Sequence, residues 1–230
     1  MNSSLVGVTR WLVALAMPVF IILLWVRILW NPWLVQWEYG KADFPRDPYG
    51  LSNQLRIDYA LQWVNYYNSN QTPEEGIKFF TELQFPGTTL PVYSPYDVKH
   101  MVDVRLVTDK AWRVLGLAAV IVVGGLLALL IPRSTRRDGY AAVFIGGLIS
   151  TLLLAGLILF LLLAWRTFFV TFHEVLFPAG GWTFDFTSML IRIFPDRFWF
   201  DTFALGVGGA LAISAVVTLI GWLLYRSARA

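Results

Sequence analysis

The chain has 230 residues, of which 57% are hydrophobic and 14% charged, with a formal net charge of +3. Soluble domains carry about a quarter charged residues, so this composition points to lipid and to a single membrane domain with a modest appendage. The small, unevenly spread charge argues against nucleic acid as a partner, and the absence of cysteine excludes disulfides, thiolate metal sites and a cysteine nucleophile.

In chain order, the first apolar stretch runs from about Val8 to Leu29. About 20 residues at 1.5 Å rise cross a bilayer core of roughly 30 Å, so this stretch predicts a transmembrane helix. A cleaved signal peptide is the alternative. The apolar run exceeds a typical h-region, however, and the chain passes into Trp30-Asn31-Pro32-Trp33 with no small-x-small cleavage site. Three more stretches predict spans at about 111–131, 140–165 and 203–225. The arginines of the short segments orient them. Arg10, the linker carrying Arg133, Arg136 and Arg137, and the tail carrying Arg226 and Arg229 are all expected to stay cytoplasmic. The two longer connections, residues 31–110 and 166–201, then lie outside the cell. Aromatic residues cluster where they meet the membrane (Trp25, Trp30, Trp33, Trp37; Trp165, Phe168, Phe169, Phe172; Phe198, Trp199, Phe200), as amphipathic rings do at headgroup depth.

The first outer connection carries helix-start signals. Ser52 precedes Leu55, Tyr59, Trp63 and Tyr66, which share one apolar-aromatic face. Thr72-Pro73-Glu74-Glu75 reads as a capping box with proline at the first helical position, and Ser94-Pro95-Tyr96-Asp97 repeats the logic. Breaks fall at Pro45, Pro48-Tyr49-Gly50 and Phe85-Pro86-Gly87. The expected fold is all-α: four transmembrane helices with a small, mainly helical extracytoplasmic cap, 31–110, completed by the loop 166–201.

Chemistry has few places to reside. The only two histidines, His100 and His173, both fall on the outer side near the membrane surface. Asp103 lies three residues after His100, on the same helical face, where a carboxylate can orient an imidazole; Glu174 directly follows His173. The bland alternative is a pair of semi-polar interfacial residues. A zinc site from His100, Asp103, His173 and Glu174 lacks any paired-ligand spacing such as H-E-x-x-H, so no metal or other cofactor is expected. No G-x-S-x-G elbow is present. Span interiors are nearly free of ionisable residues, which argues against a transporter, and Gly124-Gly125, Gly146-Gly147 and Gly206 to Gly209 read as helix-packing points. The aromatic segment after His173, Phe177 to Phe186, reads either as an interfacial mat or as the wall of a pocket open to a lipid chain.

Four motifs together carry a resemblance: His100-Met101-x-Asp103-Val104, Phe172-His173-Glu174, Trp182-x-Phe184-Asp185 and Leu190-Ile191-x-x-Phe194-Pro195-Asp196-x-Phe198. With the four-span layout, they resemble the lipoprotein intramolecular transacylase family, Lit, over essentially the full chain. One departure is visible: Phe186 stands after Asp185 where the family usually has proline, and Thr187-Ser188-Met189 lacks a second Asp-Pro. This leaves open a diverged substrate or a paralogous role. The resemblance implies a multi-pass enzyme of the bacterial cytoplasmic membrane, acting on a diacylated lipoprotein. It would move an acyl chain from the sn-2 position of the diacylglyceryl group to the N-terminal cysteine amine of the same molecule. The family's two catalytic histidines fall on His100 and His173. Asp103, Glu174, Trp182, Asp185 and Tyr59 are the expected supporting or substrate-binding residues, membrane lipid is the surrounding partner, and no cofactor is implied. The competing reading is a non-enzymatic membrane protein whose aromatic cap docks an envelope partner; it requires Trp182, Tyr59 and their neighbours to face solvent as one patch.

Overall fold

The computed structural model describes residues 2–228, so Arg229, one of the two tail arginines used above for orientation, lies outside the described residues. Eleven helical segments follow in order: α1 (Ser3–Leu29), α2 (Pro32–Tyr39), α3 (Asn53–Asn68), α4 (Pro73–Glu82), α5 (Pro95–Ala119), a π-helical turn (Val120–Gly124), α6 (Gly125–Leu130), α7 (Arg136–Leu163), α8 (Trp165–Leu176), α9 (Met189–Ile193) and α10 (Asp196–Ser227). Among the described residues there is no strand, only one isolated bridge between Gln84 and Pro91, so the all-α expectation holds. Four helices are long and apolar enough to cross a membrane: Ser3–Leu29, Pro95–Leu130, Arg136–Leu163 and Asp196–Ser227. The chain divides into two compact units, one built from residues up to Ile28, Ala111–Leu163 and from Phe203 onward, the other from Leu29–Lys110 and Ala164–Thr202.

In the first unit, small residues let helices approach to backbone contact. A Cβ on Gly147 would fall 2.7 Å from the backbone nitrogen of Thr218, and one on Gly221 would fall 2.5 Å from that of Phe144, so α7 and α10 are in reciprocal close contact. The neighbouring Gly146 faces Ala14 and Met17 of α1. The Ala14 carbonyl is the one that Pro18, lacking an N–H, leaves without its helical donor, and α7 packs on α1 at that point. Polar ties join the helices as well: Thr151 and Thr218 share a hydroxyl hydrogen bond at 3.0 Å, Trp25 Nε1 donates to the Leu205 carbonyl at 3.1 Å, and Arg10 pairs with Asp138 at 3.0 Å.

The second unit is the cap, and its core is aromatic. Trp63 is fully buried, stacked on Phe80 with centroids 3.6 Å apart and edge-on to Tyr93 at 5.1 Å. The capping signals form as the sequence predicts. Ser52 accepts from the Leu55 N–H, Thr72 and Glu75 close a reciprocal box, and Ser94 and Asp97 close another at the start of α5. The sequence expectation of a loop over 166–201 is corrected in part: α7 ends at Leu163, Ala164 leaves the helical region with φ −143° and ψ 51°, and two further helices and the first turn of α10 take up most of the segment outside 177–188. No proline or glycine marks that break, so it carries no local signal. Ser188 caps α9 by accepting from the Leu190 N–H, and Pro195-Asp196 opens α10.

Two buried arginines lace the cap together. Arg56 is 1% exposed. Its guanidinium donates to the backbone carbonyls of Arg192 and Pro45, each at 2.7 Å, and lies over the rings of Tyr39 and Phe44. Arg105 donates to the Tyr66 carbonyl and, at 2.8 Å, to the Ser69 carbonyl, closing the C-terminal end of α3 while pairing with Asp109. Removing such a donor leaves partly buried carbonyls without their partner. The Arg56→Met variant is therefore expected to lose roughly 3 kcal/mol of stability, with lysine recovering only part because it lacks the planar fork. A melting temperature in detergent equal to that of the parent would contradict this.

Candidate active site

The two histidines face each other within the cap. His100 sits near the start of α5, positioned by the Ser94–Asp97 box that fixes where that helix begins. His173 sits near the end of α8. Their rings lie 6.3 Å apart, centroid to centroid, and are nearly parallel at 23°. Aromatic rings close the surroundings: Phe177 and Phe184 lie 5.0 and 5.2 Å from His100, and Trp182 and Phe169 lie 5.1 and 4.1 Å from His173. Phe169 and His173 meet because residues four apart share a helix face.

This apolar setting controls protonation. His100 is 8% exposed, and burial, with His173 as a second repelling cation, pushes its pKa down to about 4. Burial also lowers His173, opposed by its hydrogen bond to the Phe169 carbonyl. Both imidazoles are consequently neutral at pH 7. The tautomer of His173 follows from its partner. Nδ1 lies 2.8 Å from the Phe169 carbonyl oxygen, which can only accept, so the proton is on Nδ1 and Nε2 presents a lone pair. Nδ1 of His100 is buried and, among the described residues, has no hydrogen-bond partner. A buried orphan N–H is the rarer and costlier arrangement, so the proton of neutral His100 belongs on Nε2, which becomes a donor.

The expected carboxylate partners are placed differently. Asp103 bonds Lys99 at 3.0 Å rather than His100 Nδ1, and reaches His100 only through its charge, which partly offsets the lowering of that pKa. Glu174 is exposed; adjacent residues on a helix do not share a face, and the Phe169 carbonyl takes the role expected of it. Trp182 lies against His173, and Asp185 is exposed on the same segment. Tyr59 is buried in the cap core against Phe85 and Tyr93, so it serves packing. Among the described residues no group of three His, Asp or Glu side chains converges to hold a metal ion.

Sequence reasoning missed Asp97 and Ser188. Ser188 Oγ donates to Asp97 Oδ1 at 2.5 Å, tying the segment after α8 to the first turn of α5 and holding Phe184 against His100. Ser94-Pro95-Tyr96-Asp97 announced a helix cap, but nothing local shows that its carboxylate has a second partner 91 residues away.

Comparison with known proteins gives a consistent result. Over its full length the fold is similar to that of the membrane-integral lipoprotein intramolecular transacylase Lit from Bacillus cereus, with a TM-score of 0.80, 18% identity and 99% of each chain covered. Two forms of that protein, in which one histidine is replaced by arginine or by alanine, align with TM-scores of 0.58 and 0.59 at 19% and 18% identity. They cover 98% of this chain each, and 94% and 96% of theirs. A protein of Aquifex aeolicus (strain VF5), described only as uncharacterized, is 25% identical over 175 residues, 76% of this chain and 75% of its own. The sequence model of the lipoprotein intramolecular transacylase Lit matches residues 11–199, a stretch that contains both histidines and the whole aromatic surround, so this membrane protein belongs to the Lit family of lipoprotein intramolecular transacylases.

Proposed function

We propose that the chain transfers an acyl chain from the sn-2 oxygen of the diacylglyceryl group to the α-amino nitrogen of the N-terminal cysteine within one lipoprotein, using His173 as proton carrier and His100 as oxyanion donor. The observation that carries this assignment is the bond from His173 Nδ1 to the Phe169 carbonyl, which leaves a basic Nε2 on a histidine facing a second, neutral one. The neutral amine attacks the ester carbonyl. His173 Nε2 takes the proton lost by the attacking nitrogen and returns it to the departing glyceryl oxygen as the C–N bond replaces the C–O bond. His100 Nε2–H donates to the oxygen that gains charge. No enzyme nucleophile is needed, because holding amine and ester on one molecule already supplies a large effective molarity. The rings of Phe177, Phe184 and Trp182 favour transfer over hydrolysis by excluding water.

The docking alternative requires Trp182 and Tyr59 on one solvent-facing patch; Tyr59 is 4% exposed and Trp182 is half-buried against His173, which favours catalysis. We place the protein in the bacterial cytoplasmic membrane with both termini cytoplasmic and the cap outside, supported by arginines 10, 133, 136, 137 and 226.

The test is direct. Purified protein incubated with a diacylated lipopeptide bearing a free amino terminus should yield a product of unchanged total mass whose fragments carry one acyl chain on nitrogen. An N-acetylated lipopeptide should stay unchanged. Fragments from the free-amine substrate identical to those of the starting material would refute the reading.

A further inference from the structure

The proposed reaction uses one side of the segment between Phe177 and Met189. Its other side borders a cavity of about 530 Å³. Along the segment the side chains alternate: Trp182 and Phe184 touch the two histidines, while Thr183 and Asp185 line the cavity together with Thr187 and Ser188. Ser94 and Asp97 of the first turn of α5 form a facing wall. The ring of Phe184, 5.2 Å from His100, borders both spaces.

The lining decides what this cavity suits. Hydroxyls, carboxylates and Arg192 make it a poor place for an acyl chain, which has nothing to return to desolvated polar groups. Two of its three charged side chains are already engaged: Asp97 accepts from Ser188, and Arg192 is held by Asp47 at 3.0 and 2.9 Å, while the Asp185 carboxylate stays exposed to solvent. No buried, unengaged charge is left to enclose a strongly charged group. What it does offer is unpaired backbone. Among the described residues, the N–H groups of Thr183, Phe184 and Asp185 donate to no protein acceptor, and the segment belongs to neither helix nor strand.

We propose that this cavity receives the polypeptide immediately following the acylated cysteine, paired through its main chain to the segment 183–187. The inference rests on the transacylase reading, because a substrate whose cysteine lies at the histidines must route its remaining chain away from them, and this polar space lies one ring away. Main-chain pairing recognises an extended peptide whatever its side chains, which suits a reaction defined only by the modified cysteine.

The experiment compares a diacylated cysteine amide with the same lipid-bearing cysteine extended by four residues. Two or three added main-chain hydrogen bonds should raise kcat/KM about tenfold for the extended substrate. N-methylation of the extension's amides should remove most of that gain. The Thr183→Pro and Thr187→Trp variants, which delete an N–H and fill the cavity, should bring the ratio of extended to short substrate close to one. Equal kcat/KM for both substrates in the parent protein, or a ratio unmoved in both variants, would overturn the proposal. A photoreactive benzoylphenylalanine in the second residue after the cysteine tests it without turnover. Adducts within 85–97 or 183–192 are expected, and adducts confined elsewhere overturn it. Failure of the transacylase reading would be distinct, appearing as no acyl relocation from either substrate.

Discussion

The His173→Ala variant is expected to lose about 10²–10⁴-fold in the rate of acyl relocation, the contribution general acid–base catalysis makes. The variant should still purify as a folded protein, because His173 is only half-buried and its Nδ1 bonds a carbonyl of its own helix, so among the described residues its removal leaves no distant partner unpaired. The pH dependence sharpens the assignment. A base must be unprotonated, and burial holds the His173 pKa below its ordinary value of 6.5. The substrate α-amine, near 7.7–8.0, must also be unprotonated to attack. On lowering pH the amine is lost first, so log kcat/KM should fall with a slope near one below about pH 7.5. It steepens only at lower pH, where His173 itself takes up a proton. A steepening already half complete at pH 6.5 would mean that the base is not held down, and a His173→Ala enzyme of parental activity would remove it from the reaction altogether.

The His100→Phe variant should lower kcat about 10²–10³-fold with little change in KM, since an oxyanion donor acts on charge present only in the transition state. Burial pushes His100 down to about 4, so it stays neutral across the working range, and its loss should leave the shape of the pH profile unaltered. That separates it from His173, whose loss removes the steepening at low pH. The His100→Gln variant keeps an N–H donor of similar reach and should recover part of the rate. Equal activity for His100→Phe and the parent enzyme would refute the donor role. A glutamine variant as inactive as phenylalanine, with its melting temperature intact, would shift the role of His100 from donation toward proton transfer.

Much of the fold was legible because it depends on short-range and solvent-scale physics. Apolar runs longer than a bilayer core predict spanning helices whatever their neighbours are, and the boxes at Thr72 and Ser94 start helices with groups at most three residues apart. The division at Ala164 was not legible, since it breaks a helix without proline or glycine and is stabilised by contacts of α8, such as Trp165 donating to Asp196. Arg56 shows the same limit from the other direction. On its own helix it reads as a polar residue bound for solvent, yet it is buried because the carbonyls of Pro45 and of Arg192 in α9 converge on it.

The candidate site divides along the same line. By itself the sequence determined that this is a membrane protein with four spanning helices and a helical cap, that its only two histidines fall in the two longer connections between spans, and that they lie in motifs of one family. Those properties follow from composition, hydrophobic length and residue identity, which need no partner. Only the tertiary structure decided which groups act on the imidazoles. Asp103 turns to Lys99, Glu174 to solvent and Tyr59 into the core, while a backbone carbonyl sets the tautomer of one ring and aromatic burial depresses the pKa of both. Proximity in sequence named carboxylates as partners. Competition for those carboxylates, and desolvation by rings from a segment more than 75 residues from His100, assigned the histidines their chemistry instead.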